Sequence, residues 1–149
     1  MSEVCSDGWT NAVSWGLIFL GWFVVHKTTL RQERRKEKRE ATHKVCIELR
    51  ELERLAINFH VAQEHDSRNA TDLRQSVVRL IRQLQRAPLT ELEIPNRSLI
   101  LLRQSITRNN ADPSDFSAQA PDSDLVRNIR DVTSDLIEVI EDGRERKWE

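Results

Sequence analysis

With 149 residues the chain has room for one domain and an appendage, not for two full domains. Four Gly and four Pro are too few for a fold of many tight turns, and the 32 % of charged residues are interleaved with Leu, Ile and Val as on exposed helices. The formal net charge of -1 says less than the placement of the charges, which is strongly uneven.

The stretch from Trp9 to Val25 holds no charged residue. It reads as a transmembrane helix made by Trp9, Trp15, Leu17, Ile18, Phe19, Leu20, Trp22, Phe23, Val24 and Val25. Seventeen helical residues rise roughly 25 Å, short but within the spanning range. Trp9 and Trp22 lie towards its ends, where indole rings favour the headgroup level. Glu3 and Asp7 are the only charges ahead of it, so a signal peptide with a basic n-region is not indicated. Gly8, Ala12 and Gly16 recur every four residues and would let two such helices approach closely in the membrane. Small residues are common in membrane helices, which is the plainer explanation of that series.

Lys27, Arg31, Arg34, Arg35, Lys36, Lys38 and Arg39 follow the apolar run, and no Lys or Arg precedes it. This asymmetry puts residues 1–8 outside and everything after the span in the cytoplasm, as in a bacterial inner-membrane protein. The cations suit lipid headgroups and set topology; nucleic acid is a poor fit because no aromatic residue is interleaved to stack on bases. Residues 26–41 carry no apolar face and nothing that breaks a helix. On this topology Cys5 and Cys46 lie on opposite sides of the membrane and do not pair with each other.

A helical-bundle domain is expected over residues 42–143, followed by a tail over 144–149. Val45, Leu49, Leu52, Ala56 and Phe59 fall on one helical stripe, widened by Ile47 and Leu55, and that helix is expected to reach about His65. A second helix fits Ala70 to Arg86, capped by Asn69 or Thr71, with Leu73, Val77, Leu80, Ile81 and Leu84 buried and Pro88 beyond its end. Leu89 to Ile94 suits at most one short turn. Pro95 suits the first turn of a third helix bearing Leu99, Leu102 and Ile106. Residues 109–121 read as a linker docked by Phe116. Asp122 or Ser123 caps the last helix, whose Leu125, Ile129, Val132, Leu136 and Val139 share a face, and Gly143 is expected to stop it. The fold class is therefore all-α: one N-terminal transmembrane helix, then a cytoplasmic bundle of about four amphipathic helices that bury their stripes against one another or against a second copy.

Sites for chemistry are scarce. His60, Glu64, His65 and Asp66 resemble the makings of a metal site, but the spacing matches no zinc signature and polar histidines at a helix end are the plainer reading. Phosphate loops, nucleophile elbows and Cys-pair motifs are missing, so the expectation is a protein that is not an enzyme and carries no cofactor. No Lys occurs between Lys44 and Lys147, whereas Arg recurs throughout. Arg79, Arg82 and Arg86 line one side of the second helix, and Asp131, Asp135, Glu138 and Asp142 line one side of the last. The two stripes suit each other, within the bundle or between copies. The arginines would also suit a phosphate-bearing ligand such as a nucleotide, for which no motif speaks, and codon bias alone is a third account. Two functions stay open: a membrane-tethered module that self-associates or binds a cytoplasmic protein, and a small defence- or toxin-type effector whose bundle senses a ligand and whose oligomerised anchors perturb the membrane.

Overall fold

The computed structural model describes residues 6–107 and 113–148; within the first helix the side chains are described at residues 15, 22, 23 and from 25 onward. Four α-helices and one 3-10 turn run in the order α1 (Ser6–Val61), α2 (Ser67–Leu84), the turn Leu89–Leu92, α3 (Asn96–Thr107) and α4 (Asp124–Trp148). No strand occurs among the described residues. The chain divides into two compact units, Met1–Glu37 and Lys38–Glu149.

In the first unit the described side chains are bare. Trp15, Trp22, Phe23, Val25 and Leu30 are all exposed. Trp22 stacks on His26 one turn later, ring centroids 5.2 Å apart, and Thr28 and Thr29 donate to the Val25 carbonyl. Among the described residues no helix is long and apolar enough to cross a membrane, so the expected span over 9–25 is without structural support. α1 continues past the apolar run into residues 26–41, where charge dominates. Of the anchor residues, Trp9, Leu17, Ile18, Phe19, Leu20 and Val24, together with Gly8, Ala12 and Gly16, have side chains outside the described set, as does all of Cys5.

The second unit is a helical bundle, as its stripes lead one to expect. Val45, Leu49, Leu52, Ala56 and Phe59 of α1 join Leu73, Val77, Leu80 and Leu84 of α2, Leu99, Leu102 and Ile106 of α3, and Ile129, Leu136, Ile137 and Ile140 of α4 in one connected core. Each of these Val, Leu, Ile and Phe side chains, taken out of water, stabilises the fold by about 1.5–3 kcal/mol before chain entropy is counted. Ile47 and Leu55 do not widen the α1 face; both are exposed.

Several boundaries differ from the expected ones, each for a local reason. α1 stops at Val61 rather than near His65, and Asp66 caps α2, accepting from the backbone N–H groups of Arg68 at 2.8 Å and Asn69 at 3.3 Å. That carboxylate satisfies donors that would otherwise be orphaned, so the helix starts ahead of Asn69 and Thr71. α2 ends at Leu84, with Gln85 as its C-cap, short of Arg86. Pro95 stands just outside α3, its carbonyl accepting from Ser98 N–H at 3.0 Å. Ser123 caps α4 through a 3.4 Å bond from Val126 N–H.

The buried face of α4 is turned by about one position from the expected stripe. Val126, Ile129, Thr133, Leu136 and Ile140 are buried, while Leu125, Val132 and Val139 are only partly covered. Thr133 enters the core because its hydroxyl donates to the Ile129 carbonyl at 2.8 Å, which removes the cost of burying it. Gly143 does not stop the helix: α4 continues to Trp148, so the expected tail over 144–149 is helical through Trp148. A Cβ at Gly143 would lie 3.2 Å from the Leu92 carbonyl oxygen and 3.4 Å from Leu92 Cβ. The glycine is there for close approach to the 3-10 turn rather than for termination.

Candidate interaction groove

α2 shows two opposite faces. Leu73, Val77, Leu80 and Leu84 point into the core, Arg79 and Arg82 stand exposed on the other side, and Arg86 is exposed just past the helix end. The three arginines line an open groove of about 1230 Å³. Lys44 and Ala41 of α1 form one wall, and Ala87, Pro88 and Leu89 close one end. Arg74 also lines it, and Asp72 is the single carboxylate residue among the lining positions. A smaller groove of about 440 Å³ shares Lys44, Ser76, Arg79 and Gln83 and adds Glu48, Glu51 and Leu55 of α1. The cationic groove therefore borders a patch where carboxylates and an exposed leucine come forward.

The arginine stripe and the acidic stripe do not pair within the chain. Arg79 reaches the Ser76 hydroxyl at 3.4 Å, and among the described residues no ion pair joins Arg79, Arg82 or Arg86 to a carboxylate. Asp131, Asp135, Glu138 and Asp142 are likewise exposed on α4 and take part in none of those ion pairs. What the sequence could not show is the partnership that holds the end of α4 in place. Lys38 pairs with Glu91 and sits over the Trp148 ring, 5.2 Å from its centroid. The Trp148 indole N–H donates to Glu91 Oε2 at 3.2 Å, and Lys147 Nζ lies 2.7 Å from Glu93 Oε1. Hydrogen bonding to Lys38 holds the Glu91 carboxyl below its ordinary range, and Lys147 does the same for Glu93.

The histidine group has a structural use. His60 is 1 % exposed and its Nε2–H donates to the Ile106 carbonyl at 3.0 Å, joining the end of α1 to the end of α3. Burial lowers its pKa, and the bond to Ile106 opposes that only in part. His65 packs edge-on against Phe59 and Phe116, with centroids 5.7 and 5.3 Å away. Phe116 thus docks the described part of the linker, and Gln119 N–H adds a 2.8 Å bond to the His60 carbonyl. Among the described residues no cluster of His, Cys, Asp and Glu could hold a metal ion. The Cys46 thiol is buried, and that burial, with Glu141 nearby, pushes its pKa up.

In comparisons with known proteins, the chain matches no family model, no curated protein and no solved structure.

Proposed function

We propose that this chain is a membrane-tethered interaction module: the N-terminal part of α1 is the anchor, and the bundle, on the cytoplasmic side, binds a protein partner or a second copy. The observation that carries the binding half is the groove over α2. It presents Lys44, Arg74, Arg79, Arg82 and Arg86 with Asp72 as its single lining carboxylate residue. Guanidinium groups in a concave, partly apolar surface favour an anionic partner that can be held by paired hydrogen bonds.

The tether rests on two supports. One is the uncharged run 9–25 followed at once by seven cations between Lys27 and Arg39, the asymmetry that orients single-pass proteins and draws anionic headgroups. The other is the exposure of Trp15, Trp22, Phe23 and Val25 on that same segment. Bare aromatic groups of this size mark surfaces that something apolar covers.

The test is fractionation of cells expressing the full chain with a C-terminal tag. The expected outcome is a membrane pellet that resists alkaline extraction, a tag shielded from protease in intact cells, and co-purification of a protein partner or a second copy after detergent extraction. A full-length protein that stays soluble and monomeric without detergent overturns the reading.

A further inference from the structure

The partner for the arginine groove is written on the chain itself. We propose that the groove over α2 receives the acidic stripe of α4 from a second copy; the inference rests on the interaction-module reading and names its partner. Arg79 and Arg82 lie one turn apart on α2, and Arg86 follows four residues on, just past the Gln85 C-cap, so the three cations line the same groove. Asp135, Glu138 and Asp142 repeat the same three-four spacing in the same direction, and Glu138, Asp135 and Asp131 repeat it in the opposite one. Arg79 and Arg82 therefore meet two carboxylates at a matched interval whether the helices run parallel or antiparallel, and Arg86 adds a third cation to the same groove.

Charge and surface chemistry agree with that pairing. Both stripes are exposed, and neither takes an ion-pair partner among the described residues. The formal net charge is -1, so two copies repel each other weakly as wholes while their opposed patches attract. The groove is not purely polar: Val78 is 37 % exposed within it, beside Ala41, Ala87 and Pro88. This apolar component can be dried when a helix lies across it, which strengthens the ion pairs at the rim. A phosphate-bearing small molecule would use the same arginines but would leave the α4 stripe unexplained.

The experiment uses the full chain in mild detergent, with mass read by light scattering and sedimentation. Wild-type chains are expected to associate in a way that weakens at least about tenfold between low salt and about 0.5 M salt, because exposed ion pairs are screened while packing of anchors in detergent is not. Arg79→Glu/Arg82→Glu and Asp135→Arg/Glu138→Arg each lose the salt-sensitive association about tenfold or more, keep the helical circular-dichroism signal, and restore it when mixed with each other. Mutual rescue is the decisive result, since a misfolded variant could not supply it. An unchanged assembly in either charge-reversal variant, or a mixture without rescue, overturns the inference. Binding of inorganic pyrophosphate that disappears with the arginines while assembly persists also overturns it, and makes the groove an anion site. Loss of assembly with membrane retention intact leaves the tether standing, whereas a chain found outside the membrane with assembly intact removes the tether alone.

Discussion

Two stretches of the single helix α1 treat their apolar residues in opposite ways. From Lys38 onward, Val45, Leu49 and Ala56 are fully covered, while in the first unit Trp22 remains 65 % exposed and Phe23 60 %. Helical geometry is the same in both; the spacing is not. Apolar residues at alternating intervals of four and three give a helix one greasy stripe, which other stripes of the same chain can cover. Residues 17–25 are apolar nearly all round, and no single neighbouring helix can shield such a rod.

The strongest way to break that contrast is to damage the covered side. Leu102→Ala, at a fully buried position in α3, is expected to cost about 2–5 kcal/mol in urea unfolding of the full chain. Trp22→Ala should change that value by less than about 0.5 kcal/mol while reducing retention on lipid vesicles; equal effects of the two on unfolding would erase the distinction. Next comes Gly143→Leu, which forces a side chain against the Leu92 backbone and is expected to cost about 1–3 kcal/mol. A neutral result would mean that the turn Leu89–Leu92 yields easily.

The buried histidine supplies a pH test confined to the bundle. His60 is held neutral by burial, its pKa depressed below its ordinary value of 6.5. Between that value and the lower folded one the unfolded chain binds more protons than the folded chain, so stability rises with pH there and falls as pH drops below about 6.5. The melting temperature is expected to fall between pH 7.5 and pH 5.5, and to fall less in His60→Gln; identical profiles would remove His60 as the cause. Measurements in that range stay above the window in which Glu91 and Glu93 take up protons, since their depressed pKa values confer stability that is lost only on going further into acid. The smallest expected effect is that of Lys147→Ala, whose ion pair with Glu93 is largely solvated, and its melting temperature is expected to match that of the unaltered chain.

Sequence reading succeeded where burial follows spacing. The stripes of α1 and α3 and four of the five expected α2 positions are in the core, because a three-four interval of Leu, Ile and Val leaves a helix few other choices. It erred where a residue's usual habit was overruled, by a backbone bond within the same turn for Thr133 and Asp66 and by a contact distant in sequence for Gly143. Thr133, outside the expected stripe, is buried; Gly143, expected to stop the helix, is a contact; and Asp66 caps α2 in place of Asn69 or Thr71. The bond from His60 to Ile106 and the meeting of Lys38 with Glu91 and Trp148 join residues separated by 46 and by more than 50 positions, which no local pattern encodes. For the groove, the arginine stripe was legible and its walls were not. Lys44 and Pro88 come beside Arg79, Arg82 and Arg86 only when α1 packs along α2 and the chain turns after Gln85.

The replacement of lysine by arginine between Lys44 and Lys147 also gives the groove a chemical address. Lys44 is the one primary amine among the side chains that line it, set among guanidinium groups that acylating reagents leave untouched at neutral pH. Protection of Lys44 from an amine-directed label, read by peptide mapping against the exposed Lys27 and Lys36, would report whatever settles into the groove.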